Sequence, residues 1–450
     1  MANDNHLLSV ICCNITMQKQ DYYNEFFEIG QQKINFSFFE LNLPDADPVY
    51  TLKKVLEDID FSSLTARYSP KGRIGFNPIM MYATVTYAMM QGIKGVDRIV
   101  ELCERDIAYI WLTKGQKPKR DAFYDFINNR LTTEVLNDLH YQFIRILEKE
   151  GLVTLKELFI DGTKIVGKER NSYSKTDIEA TFMRMKEDHM LNGQLKPAYN
   201  VQIAVENYFI IHTYVSSDRT DYDTLIPVLE KHKKAFKFYP EDVTADSGYC
   251  SEKNLIYLRE HGINPYIKLQ IYEKMKTRAY KNDISKHYNM KYSAGDDCYY
   301  CHNGRRLDHV KTEKRNNNGY IQTYEVYSCN NCDGCPHKSK CLYKYNEETD
   351  VNKNKTMKIN ELWEELQAES HANITSETGI LNRQIRSIQT EGHFGDIKGN
   401  ENFRRFNYRS SEKVYKEFLL FAIGRNLNKY HRFMHGEIHK FEGKSDLKTA

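Results

Sequence analysis

Leu158-Phe159-Ile160-Asp161-Gly162-Thr163-Lys164 and Val243-Thr244-Ala245-Asp246-Ser247-Gly248-Tyr249 share one construction. Each begins with a short apolar run of the kind that forms a strand. Each run stops at an aspartate followed by small or glycine residues. Open sheets place their ligands beyond the carboxyl ends of their strands, so the pair predicts two carboxylates at one edge of a sheet. A third acid, Glu391, stands in Glu391-Gly392-His393-Phe394-Gly395-Asp396-Ile397-Lys398, near a late helix. An aspartate behind an apolar run is common, and one alone reads as a loop acid or a cap. Three of them converging suit a pair of divalent metal ions. Such ions activate a water or a 3′-hydroxyl and stabilise the leaving oxygen of a phosphodiester.

Around these stretches the pattern predicts strands at 155–161, 201–205, 209–215, 243–246 and 265–269, with helices at 222–235 and 251–261. Strands come first as a meander and then alternate with helices. That order predicts an α+β fold with a mixed sheet flanked by helices, rather than a doubly wound parallel one. Upstream, residues 1–64 read as an arm with a short helix at 48–59. Tyr68-Ser69-Pro70-Lys71-Gly72-Arg73 reads as a basic turn. Asn77 before Pro78 starts a buried helix at 79–90, because proline suits the first helical position. Further helices are expected at 96–111, at 122–130 with Asp121 as cap, and at 133–150, ending at Gly151. Residues 65–151 thus form a helical domain of helix-turn-helix character. Lys117, Lys119, Arg120 and Arg130 there suit phosphate contacts. Downstream, residues 271–350 are polar, tyrosine-rich and cysteine-dense. They divide a core whose first part is 152–270 and whose second part, 351–436, holds Arg383, Arg386 and Glu391. The second part carries helices at 361–370 and 412–430, and residues 437–450 form a loose tail.

With 40% hydrophobic and 28% charged residues among 450, the chain has the makings of a soluble protein with real cores. Net charge is only +3, so whole-chain charge does not mark a polyanion binder. Local runs do more. They lie at Lys231 to Lys237, at Arg305-Arg306 with Lys311 to Arg315, and from Lys398 through Arg404-Arg405 to Arg409. The last is interleaved with Phe403, Phe406 and Tyr408, which predicts a surface that touches nucleic acid; a solvated face is the plain alternative. No secretory leader opens the chain and no apolar stretch suits a bilayer. The expected location is the cytoplasm, reducing and beside the nucleoid, without disulfides.

Six of the ten cysteines, Cys298, Cys301, Cys329, Cys332, Cys335 and Cys341, crowd one region. Two-residue spacings between Cys298 and Cys301, Cys329 and Cys332, and Cys332 and Cys335 suit thiolates sharing one tetrahedral zinc. An iron–sulfur cluster uses the same ligands, and spacing leaves the choice of four among six open. Cys12, Cys13, Cys103 and Cys250 read as plain buried or terminal residues.

Taken together, Tyr68-Ser69-Pro70-Lys71-Gly72-Arg73, Phe159-Ile160-Asp161-Gly162-Thr163-Lys164, Ala245-Asp246-Ser247-Gly248-Tyr249 and Arg386-Ser387-Ile388-Gln389-Thr390-Glu391-Gly392 resemble bacterial insertion-sequence transposases of the DDE type. The resemblance runs from about residue 48 to 430. It implies a ribonuclease-H-like core in which Asp161, Asp246 and Glu391 bind two Mg²⁺ or Mn²⁺ ions. It implies endonucleolytic cutting of the element's terminal inverted repeats and their joining to target DNA, by a homodimer on double-stranded DNA. In that family the glutamate sits in a tyrosine–arginine–glutamate–lysine signature. Lys398 stands at the expected distance, Arg386 one residue further than the signature asks, and the tyrosine position falls at Gln384. Lys164, Arg386, Lys398, Arg404 and Arg405 are the implied phosphate contacts. Similar proteins favour Cys301, Cys332, Cys335 and Cys341 as zinc ligands, with Cys298 and Cys329 as substitutes. The alternatives are a catalytically silent DNA-binding descendant and a ribonuclease-H-like nuclease without strand transfer.

Overall fold

The computed structural model describes residues 35–36, 39–40, 43–68, 75–168, 177–185, 195–317 and 320–439. The predicted turn at Ser69 to Arg73, the tail beyond residue 439, Cys12 and Cys13 lie outside them. The chain divides into two compact units. The first comprises residues 1–155, 162–219 and 389–446; the second comprises 156–161, 220–388 and 447–450.

The first unit opens with the antiparallel pair β1 (Asn35–Phe36) and β2 (Phe39–Glu40), then a run of helices. In α1 (Pro48–Glu57), the Asp47 carboxylate accepts the Val49 N–H at 2.9 Å and proline takes the first position. After α2 (Ser62–Thr65) comes α3 (Pro78–Met90), capped by Asn77, whose side chain accepts from Ile79 and Met80. Every residue of α3 is buried, so this helix, apolar on all sides, is enclosed within its unit. Residues 96–111 form two helices where one was expected, α4 (Val96–Arg105) and α5 (Ile107–Leu112). Asp106 takes an extended backbone and its carboxylate caps Ala108 and Tyr109. An aspartate that can bond the backbone locally competes with helix continuation. Next, α6 (Arg120–Asp125) runs into a π turn, Phe126–Arg130, and Asp121 sits inside the first turn instead of capping it. Thr132 caps α7 (Thr133–Lys149), and Gly151 follows with φ of 71°.

β3 (Glu157–Val166) passes from the second unit into the first. Its Asp161 therefore lies inside a strand rather than at its end, because Thr163, Ile165 and Val166 extend the β-branched pattern. In the first unit, β4 (Thr181–Arg184), β5 (Leu195–Glu206) and β6 (Phe209–Ser216) are antiparallel neighbours; β5 and β6 match the expected strands 201–205 and 209–215, and β4 is a strand that was not expected.

In the second unit, the start of β3 pairs in parallel with β7 (Asp242–Ala245), and β7 with β8 (Asn264–Ile267). Helices α8 (Leu225–Phe236) and α9 (Glu252–Glu260, capped by Ser251) connect them. Short helices α10 (Tyr272–Met275) and α11 (Arg278–Lys281) follow. The cysteine-dense region, read as a break in the pattern, is an antiparallel sheet. It consists of β9 (Lys291–Ser293), β10 (Cys298–Tyr300), β11 (Arg306–Asn317), β12 (Tyr320–Cys329) and β13 (Thr356–Ile359), in the order β13-β12-β11-β10-β9. Leu307, Tyr327, Cys329, Cys332, Met357 and Ile359 form its small core. Near its cysteines stands α12 (Lys338–Cys341). Of α13 (Glu361–Thr375) and α14 (Glu377–Arg386), the former docks on β8, with Ser370 donating to the Ile267 carbonyl at 2.8 Å.

Past α14 a π turn, Ser387–Glu391, leads into α15 (Gly392–Lys398) and then α16 (Ser411–Met434), both in the first unit. There Ile165, Tyr199, Val201, Ile203, Phe394, Ile397, Phe418 and Phe421 share one core. Phe403 and Phe406 belong to it as well, 0% and 1% exposed. They are therefore not aromatics of a DNA-facing surface: the chain alternates, burying both rings and exposing Arg404 and Arg405 between them. The whole is a mixed α+β chain, as its pattern predicts.

Candidate active site

The parallel register decides where the two aspartates stand. Ile160 pairs with Ala245 as the last matched residues of β3 and β7. The residues that follow are Asp161 and Asp246, so they are neighbours at the end of the parallel pairing. Asp161 is 7% exposed and accepts an ion pair from Arg386 at 3.2 Å. Asp246 opens a 3-10 turn, Ser247–Tyr249, and its Oδ1 accepts the Gly248 N–H at 2.7 Å. A Cβ on Gly248 would stand 2.9 Å from that oxygen and 3.2 Å from Oδ2 of Asp221. Glycine is required there because two carboxylates close over its backbone. Behind them the Tyr249 phenol is fully buried. Burial first, then the charges of Asp221, Asp161 and Asp246, raise its pKa well above the usual value, with Arg386 opposing. Asp161, Asp221, Asp246 and Arg386 are thus grouped around one buried ring.

Asp221 is an acid that no apolar run or strand end marks in the sequence. Its signal was the alternation Asp218, Thr220-Asp221, Asp223 just before α8, where the Asp221 carbonyl also accepts from Thr224. Carboxylate oxygens are the ligands that Mg²⁺ and Mn²⁺ prefer, so the donor set fits. Among the described residues no three His, Cys, Asp or Glu side chains already stand in ligating geometry.

Glu391 belongs to the first unit, exposed at the end of its π turn. The residues after it are anchored. His393 is buried, with Nε2 at 2.8 Å from the Tyr208 carbonyl and Nδ1 at 3.3 Å from Arg425. Burial, then Arg425 and Lys429, hold its pKa well below the usual imidazole range. It is therefore neutral, with Nε2 donating and Nδ1 accepting. Arg425 also pairs with Asp396 at 3.1 Å and with Glu401. No local pattern warns of this network, because Arg425 sits on α16, a helix away. Lys398 ends α15, and its carbonyl accepts from Arg404 at 2.9 Å. Arg404 and Arg405 are exposed, while Lys164 donates to the Arg184 carbonyl at 3.4 Å. Among the cations expected to meet phosphates in the helical region, Lys119 pairs with Glu104, Arg120 with Asp97 and Arg130 with Asp125.

The cysteines form two turns. Cys301 opens one that closes through Gly304 N–H on the Cys301 carbonyl at 2.8 Å, with Gly304 at φ of 70°. Cys332 to Cys335 form the other, with Gly334 at φ of 64°. Arg305 ties the two by donating to the carbonyls of Asn331 and Asp333, each at 2.7 Å. Sulfurs accept from the protein: Cys332 from Lys355 N–H at 3.3 Å, Cys335 from the Asn303 amide at 3.6 Å. The Cys341 thiol is raised by burial, with Lys355 opposing and Cys301, Cys332 and Cys335 adding to it. Those three are thus its electrostatic neighbours. Cys298 and Cys329 are buried strand residues, the latter in the small core. All the described cysteines are free thiols.

Residues 300–431 match the family model of a transposase DDE domain, and residues 37–129 match that of a transposase domain, DUF772. Glu391, Lys398 and the Cys301 turn fall inside the first match; Asp161 and Asp246 lie between the two. No curated protein matches the chain. A solved structure, the cryo-EM piggyBac transposase synaptic complex with hairpin DNA, is similar at 11% identity over 90% of this chain and 84% of that one. Its TM-score of 0.29 makes it too distant a likeness to bear on fold or site.

Proposed function

We propose, from the premise that this chain belongs to the insertion-sequence transposases of the DDE type, that it cuts the element's ends and joins them to target DNA. The observation that carries the proposal is the register at β3 and β7, which makes neighbours of Asp161 and Asp246. Their strands would be the heart of a ribonuclease-H-like core, with Asp161, Asp246 and Glu391 holding two Mg²⁺ or Mn²⁺ ions. Bound there, the ions supply an activated water or 3′-hydroxyl and neutralise the leaving oxygen. Asp246, fixed by Gly248 N–H, presents a set oxygen, and Asp221 adds negative charge beside it. Arg386, ion-paired with Asp161, would balance its charge until a cation takes over, and its guanidinium then suits a phosphate. Lys164, Lys398, Arg404 and Arg405 are assigned to DNA phosphates, which position a duplex without reading it. Helices within residues 65–151 would bind the terminal repeats, and two copies would act together, since two ends are cut.

Cys301, Cys332, Cys335 and Cys341 would hold one structural zinc. The two glycine-bearing turns and the N–H groups aimed at sulfur suit a thiolate site.

The test is product analysis on a plasmid carrying the gene with its native flanks, incubated with protein in Mg²⁺ and in Mn²⁺. Cuts at the boundaries and ends joined to target are the expected products. Free ends without joining would leave a nuclease, and tight binding of the flanks without cuts would leave a binding protein.

A further inference from the structure

β8 pairs with β7 in the register that also pairs β7 with β3, so Ile160, Ala245 and Ile267 are partners in turn. The residues that follow are Asp161, Asp246 and Lys268. Adjacent strands lie about 4.8 Å apart, so a lysine completes the row that the two aspartates begin. It has company. The Lys268 ammonium lies 5.4 Å from the centre of the Tyr272 ring, that of Lys276 at 4.0 Å, and the Arg383 guanidinium at 5.5 Å. One ring attracts one cation well; three around it repel each other. Glu273 offsets two, at 2.8 Å from Lys268 and 3.2 Å from Lys276. Arg383 and Arg386 are one turn apart on α14, hence on one face, and Arg386 reaches Asp161. A band of positive charge therefore runs from Asp161 through Arg386 and Arg383 to Lys268 and Lys276. The segment from Lys268 to Lys281 holds Lys268, Lys274, Lys276, Arg278 and Lys281 against Glu273.

We infer that Lys268, Lys276 and Arg383, gathered around Tyr272, bind the phosphates of the DNA strand adjacent to the one cut at Asp161 and Asp246. The inference rests on the transposase reading and gives the strand a path away from the site. Crowded cations with a single shared carboxylate become favourable once phosphates neutralise them, and each such contact steepens the salt dependence of binding.

Two variants of opposite sign test it, with binding to an end-sequence duplex measured across salt. Lys268→Gln combined with Lys276→Gln is expected to weaken binding roughly tenfold and to reduce the salt slope by about 2. Glu273→Gln releases both lysines and is expected to tighten binding. A purely structural role predicts no gain from the second variant. If both variants bind with the affinity and slope of the wild type, the phosphate path is overturned while the transposase reading stands. If the wild type neither binds nor cuts DNA in Mg²⁺ or Mn²⁺, the reading and the path fall together.

Discussion

At Asp161 the charge balance is local: a carboxylate 7% exposed, an arginine at 3.2 Å, and two further carboxylates around the same buried phenol. Burial of that much negative charge is costly unless cations compensate it, which is why the site suits metal ions. A second buried acid shows the same physics with a different outcome. Glu417 on α16 accepts from Asn407 and Tyr408 backbone N–H groups, yet burial, partly opposed by those bonds, pushes its carboxyl up to about 7. Its ordinary value is 4.5, so between the two the folded chain holds a proton that the unfolded chain has lost. The stability this group contributes is full below pH 4.5 and is lost as pH rises through about 7. Melting temperatures from about pH 5 to 8 should fall for the wild type and flatten for Glu417→Gln. Parallel curves would refute this. Asp161 and Asp246 were legible in the sequence because an apolar run marks its own end. Asp221 was not, since its role depends on a loop returning to Gly248.

The elements divide in the same way. Asn77-Pro78 announces a helix start through cap chemistry, and α3 starts there, whereas Thr132 and Ser251 emerge as caps of α7 and α9 only in the structure. Asp106 broke one expected helix into two, because a cap and an interior aspartate look alike in sequence. The cysteine-dense sheet was missed for a physical reason. The hairpin of β11 and β12 keeps much of its length in solvent, as at Val310, 59% exposed, and Ile321, 60% exposed, so no apolar run marked it. Packing of α16 against α3 includes a close approach at Gly424. A Cβ on Gly424 would lie 2.5 Å from the Met89 carbonyl carbon, so the helices approach where only hydrogen fits. Gly424→Ala should destabilise the chain by about 1–3 kcal/mol, as overpacking does, and lower its urea midpoint. An unchanged midpoint would show that the two helices can separate at no cost.

For the molecule as a whole, the two matched transposase segments flank the aspartates, and the zinc and DNA assignments give it parts that can be removed separately. Freshly purified protein should carry about one zinc per chain, reduced to none in Cys332→Ser. Zinc-free folded wild type would remove that assignment, and coloured iron-bearing protein would replace it with a cluster. Composition does not point to the proposed DNA partner, because a net charge of +3 averages local bands of opposite sign. The proposed metal-dependent cutting requires Asp161, Asp246 and Glu391 alike. Its most direct test is single-turnover cleavage of a duplex bearing the element's end, in Mg²⁺ and in Mn²⁺, with wild type beside Asp161→Asn, Asp246→Asn and Glu391→Gln. The expected result is cutting at the boundary by the wild type alone, with end binding by all four proteins. Cutting by any of the three variants at the wild-type rate would contradict it.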